Sequence, residues 1–401
     1  MRTLNLREYE EKSCSLTPAE IDVLRHRLGC QVTRSDTGED HYLVRPQDTV
    51  GAAIAGNTAI VIRPKLPVAR VMFLIAHALD PQWTRDAKLA AADSVTDAVA
   101  GLFAHLCHPA LRTGLLRGYR DNHERLHTVR GRIDFTEQLR TSPGRSLPLA
   151  VSYQSHDEDI LENQLLAAAV DTLHRLPGYP EDSRRSLTQL RMTLAGLTPP
   201  RLRAHRIPPV RWTRLNQHYR PAVELARLIL SGAEADLAAR DVQAAGFAIR
   251  MSEVFEHFVR NALRRALGVD ERGFPVGKQT PKLYLDDRRR LNVQPDLSRW
   301  AGGRCRFVGE LKYRYDAGNG AAPNVYQTVA YALAAGVPDA MLIYAHGPAT
   351  GTAHYLPGLG ARIHVRHLNL NTEPAELLSQ IQLLADHIDR LTIASLRGDL
   401  V

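Results

Sequence analysis

The sequence predicts an α+β multidomain chain, with a β-rich N-terminal domain over 1–70, a mainly helical middle region over 71–245 and a C-terminal α/β domain over 246–401. Three observations carry this. The 401 residues, 44% of them hydrophobic, can bury more than one core. The apolar pattern turns helical at Val68 and stays so to about Arg240. After Phe247, helix-like and strand-like runs follow one another in the order of an α/β sheet.

In the first domain, Thr17-Pro18-Ala19-Glu20 starts a helix: Thr caps it, Pro fits its first turn and Glu completes a capping box. Strands are expected at His41–Arg45 and Thr58–Arg63. The second runs into Arg63-Pro64-Lys65-Leu66-Pro67, where two prolines stop any ladder and Arg63 and Lys65 form a basic rim. Helices are expected in the middle region at Val68–Leu79, Ala87–Leu106, Ile160–Leu176, Arg184–Leu197 and Ala222–Ala238. Two polar stretches interrupt them. Val129–Phe135, carrying Arg130 and Arg132, reads as a strand, and the acidic run His156–Asp159 before Asn163 reads as a helix N-terminus stabilised by the macrodipole.

Composition narrows the function classes. A net charge of +8 and a pI near 9.4 favour a polyanionic partner, because clustered cations displace counterions from a phosphate backbone. The four cysteines form no CxxC pair, so neither a zinc ribbon nor a disulfide framework is expected, and a reducing cytoplasm fits. Neither an apolar leader segment nor a run of 18 apolar residues occurs, so a membrane is not an expected partner. Gly273–Gln279 has one residue too few between its glycines for a phosphate-binding loop and lacks Ser or Thr after Lys278, so no nucleotide is expected on this chain. His105-x-Cys107-His108 fits no tetrahedral metal site and reads as packing, and GxSxG and HExxH are both absent.

Chemistry concentrates in the last third. A helix over Met251–Ala266 puts Met251, Val254, Phe255, Phe258, Val259 and Ala262 on one stripe, with Glu256 at its border and Glu253 pointing away. Two strand-like runs, Arg290–Arg299 and Arg304–Tyr315, are joined by Ala301-Gly302-Gly303 as a hairpin. Asp296 is expected on the first strand, and Glu310 and Lys312 on one face of the second, since strand side chains alternate. Two carboxylates offer hard oxygen ligands for Mg²⁺, with Mn²⁺ as a substitute, while an ammonium beside them orients the attacking water and offsets charge growing on a phosphate.

Glu-x-Lys by itself is a frequent accident. Its context here is Pro295-Asp296 at hairpin distance, the Glu256 helix before it, and a helix after it with Gln327 and Tyr331 on one face, opposite Val325, Val329, Ala332 and Leu333. A strand over Ala340–Ala345 and a packing helix over Glu373–Leu396 follow. This order predicts a PD-(D/E)xK restriction-endonuclease-like domain in which Asp296 and Glu310 hold the metal, Lys312 serves the water, and Glu256, Gln327 and Tyr331 complete the catalytic set.

From end to end the chain resembles the McrC family, the nuclease subunits of modified-cytosine-specific McrBC restriction systems. The resemblance lies in Val50-Gly51, Ile60–Lys65, Arg130-Gly131-Arg132, Asp159 with Glu162-Asn163, Phe255-Glu256-x-Phe258-Val259, Pro295-Asp296, Glu310-x-Lys312-Tyr313 and Tyr326-Gln327-x-x-x-Tyr331. Family members often carry Asp where this chain has Glu310; both are hard oxygen donors. The resemblance implies the DNA endonuclease subunit of a type IV, 5-methylcytosine-dependent system acting on double-stranded DNA. It also implies a hexameric McrB-type AAA+ GTPase partner that recognises the modified DNA and is stimulated through the N-terminal region, where Arg63 and Lys65 are candidate contacts. Two other readings stay open: a catalytically idle adaptor that activates the motor, and a nuclease that acts without one. Base-contacting positions carry no motif in the chain.

Overall fold

The structure is a computed structural model and describes residues 1–35, 40–79, 92, 94–141, 144, 146–176, 178–198, 207–233, 246–275, 280–318 and 320–398.

The N-terminal part contains β1 (Arg2–Arg7), β2 (Lys12–Ser15), α1 (Pro18–Asp22), β3 (Gln31–Arg34), β4 (His41–Arg45), β5 (Thr49–Ala55) and β6 (Thr58–Arg63). The capping box at Thr17 forms as read: Glu20 N donates to Thr17 Oγ1 and Thr17 N donates to Glu20 Oε2. One sheet runs β2-β4-β3; another runs β1-β6-β5 and takes its fourth strand from β10 (Gly246–Arg250), beyond the whole middle part of the chain. Gly51 explains how β10 fits so closely. At φ 144°, a Cβ there would lie 2.1 Å from the Phe247 carbonyl oxygen, so only glycine lets the two backbones approach.

The middle part contains α2 (Val68–Leu79), α3 (Val95–Leu111), β7 (Gly118–Leu126), β8 (Arg132–Ile133), α4 (Phe135–Thr141), β9 (Leu149–Asp157), α5 (Leu161–His174), α6 (Glu181–Thr193) and α7 (Arg220–Ala233). Residues 87–91, 93 and 234–238 of two expected helices lie outside the described residues. The expected strand over Val129–Phe135 shrinks to Arg132–Ile133, because Asp134 accepts a bond from Glu137 N and starts α4. Gly131 takes φ 74° there, where a Cβ would meet Ser152 O at 2.4 Å. The long antiparallel pair β7–β9 was not expected from the sequence.

The C-terminal part adds α8 (Met251–Ala266), β11 (Leu283–Tyr284), β12 (Asn292–Val293), β13 (Leu297–Ala301), β14 (Arg304–Tyr315), α9 (Ala322–Ala335), β15 (Asp339–His346), β16 (Thr352–Leu356), β17 (Ala361–His367) and α10 (Pro374–Gly398). The sheet order is β13-β14-β15-β17-β16, with β14, β15 and β17 parallel and both edge strands antiparallel. Helix α9 makes the crossover from β14 to β15. Alternate residues separate the two faces. Phe307, Leu311, Met341 and Ile343 join the core of α8 and α10, which is continuous with that of α2, α3, α5 and α7, whereas Val308, Ala340, Leu342 and Tyr344 face α9.

Candidate active site

The expected strand Arg290–Arg299 is two strands. Asn292–Val293 pairs with Leu283–Tyr284, and Leu297–Ala301 pairs with β14, so Asp296 lies in the bend just before β13 and not on a strand. Buried Pro295, which has no N–H to give a ladder, separates them. Asp296 nevertheless stands next to β14, where its Oδ2 accepts the Leu311 amide at 2.9 Å.

Glu310 is 3% exposed, and Lys312 Nζ donates to its Oε1 at 2.5 Å, which puts both on one side of β14. Burial, followed by the negative charge of Asp296, holds the Glu310 carboxyl well above the usual carboxylate range, with Lys312 pulling the other way. Glu310 Oε2 is buried and has no hydrogen-bond partner. A buried carboxylate oxygen with nothing to satisfy it, beside a second carboxylate, fits a hard cation. Among the described residues no three His, Cys, Asp or Glu side chains form a metal cage. Asp296 and Glu310 are hard oxygen donors of the kind that Mg²⁺ takes while it keeps several waters.

From α8, Glu256 approaches the same region: burial and then Asp296 push its carboxyl to about 7, while Arg260 and Lys312 lower it. From the other face, α9 brings Tyr331, pushed up to about 12 by burial and then by Glu310, with Gln327 Nε2 donating to its hydroxyl at 2.6 Å. The expected faces of α9 hold in part: Val325, Val329 and Ala332 pack on the core as read, but Tyr331 is buried with them, as are Asn324 and Thr328, and Leu333 is 50% exposed. The sheet offers polar partners under this helix, including the Tyr344 hydroxyl, to which Asn324 Nδ2 donates at 2.7 Å.

Two participants were not singled out from the sequence. Arg260, 8% exposed, donates from Nε to the Asp296 carbonyl at 3.1 Å and lies 3.7 Å from Glu256. Its signal was present as a Glu-Arg pair four apart at the edge of an apolar stripe. Glu8, fully buried, accepts from the Tyr313 hydroxyl at 3.4 Å and the Lys65 amide at 3.1 Å, so the N-terminal rim seats on the end of the Glu310 strand. Burial raises the Glu8 carboxyl to about 7. Lys65 Nζ sits 4.5 Å over the Tyr9 ring, and the Arg63 side chain is exposed.

A family model described as McrBC 5-methylcytosine restriction system component matches residues 44–345. The chain belongs to the McrBC family. Among solved structures, a chain from the half-complex of a tetradecameric assembly of Thermococcus gammatolerans McrB AAA+ hexamers with bound McrC shares the fold of this McrBC member. That match has a TM-score of 0.54 at 19% identity and covers 96% of this chain and 100% of that one. A chain of the Thermococcus gammatolerans McrBC complex aligns at TM-score 0.39 and 22% identity, over 66% of this chain and 88% of that one. Comparison with curated proteins gives no match. No helix among the described residues is long and apolar enough to cross a membrane.

Proposed function

We propose that this McrBC-family chain is the McrC-type subunit of a type IV restriction system, a PD-(D/E)xK endonuclease that hydrolyses phosphodiester bonds in double-stranded DNA containing 5-methylcytosine. The single observation that carries the catalytic reading is the unsatisfied buried oxygen of Glu310 beside Asp296, with Lys312 on the same side of the strand. Asp296 and Glu310 would hold Mg²⁺, which when bound supplies charge for a phosphate oxygen and lowers the pKa of water. Lys312, released from Glu310, orients the attacking water and offsets charge developing on the phosphate. Tyr331 and Gln327 hold each other on the α9 side, where they suit a phosphate or water contact. Glu256, whose carboxyl burial and Asp296 push up to about 7, would exchange a proton with the water.

The partner is an AAA+ GTPase of the McrB type, a reading supported by the family and by the fold shared with the chain from the McrB–McrC assembly. Residues 1–70 would engage that motor through the basic rim of Arg63 and Lys65, with 71–245 and 246–401 as the helical and nuclease parts. Lys65 also packs on Tyr9, so its substitution is read together with Arg63→Ala. Reconstitution with an AAA+ GTPase of the McrB type tests the whole: cleavage of methylated DNA should require GTP and Mg²⁺ and stop in EDTA. GTPase stimulation without cleavage under any divalent cation would leave the adaptor reading instead.

A further inference from the structure

The β11–β12 hairpin leads straight into Asp296, and its tip carries Arg288-Arg289-Arg290, three consecutive cations. The tip is built rather than loose. Asp286 Oδ1 accepts the amides of Arg290 and Leu291, each at 2.7 Å, and Leu285 N donates to Leu291 O at 2.9 Å. Arg289 takes φ 54°, a left-handed turn position that arginine rarely fills, and its guanidinium lies 5.9 Å from the Tyr284 ring.

The base of the hairpin is anchored twice. Buried Leu283 and half-buried Val293 join the apolar cluster that holds Tyr331, and the second strand ends three residues before Asp296. The tip is thereby fixed relative to both sides of the candidate site. Arg290 pairs with Asp286 inside the hairpin, whereas Arg288 has no ion pair among the described residues and both Arg288 and Arg289 are exposed. Asp296 lies eight positions after Arg288, a span of at most about 28 Å when extended. That is less than one duplex turn of about 34 Å.

We infer that Arg288 and Arg289 grip the phosphate backbone of the same duplex whose strand enters the Asp296–Glu310 site, within one helical turn of the bond to be cut. The inference rests on the nuclease reading above and assigns its DNA contact. Two exposed guanidiniums on a hydrogen-bonded turn have the fork geometry for phosphate oxygens. Phosphate contacts position the duplex without reading its sequence, so the contribution is the same for methylated and unmodified DNA.

The test uses the full chain in EDTA and a labelled duplex of about 30 base pairs, with affinity followed between about 50 and 200 mM salt. Arg288→Ala combined with Arg289→Gly removes both cations, and glycine keeps the left-handed turn. The expected result is about tenfold weaker binding at low salt and a log–log salt slope shallower by about 2, equally for methylated and unmodified duplexes. Arg288→Lys with Arg289→Lys should recover most of the loss. Unchanged affinity and slope, or no binding by the unaltered chain at low salt, would overturn the inference. So would normal DNA binding with lost stimulation of the AAA+ partner, which would make the tip a protein contact. Asp296→Ala, assayed separately with Mg²⁺, GTP and the AAA+ partner, separates the two readings: continued cleavage by that variant removes the catalytic assignment and leaves the measured DNA affinity of the tip standing.

Discussion

The amide of Leu311 donates to the Asp296 carboxylate at 2.9 Å, one step beyond the ladder pair Leu297–Gly309. That bond closes the gap left by Pro295 and sets Asp296 opposite Glu310 although Asp296 belongs to no strand. One Asp296 oxygen is thereby committed to the backbone, while Glu310 Oε2 is buried with no hydrogen-bond partner.

Arg260 fixes the other end of the same residue by bonding the Asp296 carbonyl. Arg260→Ala should lower cleavage by the reconstituted complex about 10- to 100-fold, the equivalent of losing one charged hydrogen bond of about 1.5–3 kcal/mol. Arg260 acts as a positioning residue, so the Mg²⁺ concentration for half-maximal rate should rise, and Arg260→Lys should restore part of the activity. An unaltered Mg²⁺ dependence in Arg260→Ala would show that the arginine serves only folding.

Protonation gives a signed stability prediction. Burial, chiefly, pushes the Glu256 carboxyl up from its ordinary 4.5 to about 7 in the fold. Between those values the folded state keeps a proton that the unfolded state has lost, so in EDTA this residue makes stability fall as pH rises through the window. Glu8, raised to about 7, acts with the same sign. Thermal melts in EDTA should show the decline, and Glu256→Gln should flatten it. Mg²⁺ should raise Tm more near pH 8 than near pH 5.5, roughly, since Glu310 must ionise to bind it. A Mg²⁺ effect independent of pH would contradict this.

Gly51 and Gly131 sit where a neighbouring backbone occupies the place of a Cβ. Gly51→Ala should cost about 2 kcal/mol or more in unfolding free energy, combining strain at positive φ with a parted β5–β10 ladder. Gly131→Ala should disturb the β8–β9 pairing while sparing the nuclease sheet. Denaturant melts and proteolysis of the β7–β9 region check both; wild-type stability for Gly51→Ala would refute the close-approach account.

What the sequence made legible was local. Strands His41–Arg45 and Thr58–Arg63 and helices Val68–Leu79 and Met251–Ala266 appear with the bounds read from their apolar periodicity. The β7–β9 pair was missed because GYRDNHERL has no apolar alternation. It is held by polar contacts across the strands, such as Asn122 with Ser155 and Gln154 with Asp121, which become neighbours only after pairing. The α9 stripe of Val325, Val329 and Ala332 was legible, whereas the burial of Asn324 was not, because only the folded chain brings it to the Tyr344 hydroxyl. In the candidate site, the spacing of Asp296, Glu310 and Lys312 was visible in the sequence. The Glu8–Tyr313 contact joins residues 305 positions apart and had no signal there.

Asp296→Ala in the chain reconstituted with the proposed McrB-type AAA+ GTPase tests the catalytic claim most directly, with DNA cleavage and GTP hydrolysis measured in the same reaction. Loss of cleavage by about a thousandfold or more, with GTPase stimulation intact, is the predicted result. Cleavage at the unaltered rate would contradict the assignment of Asp296 and Glu310 as the metal-holding pair.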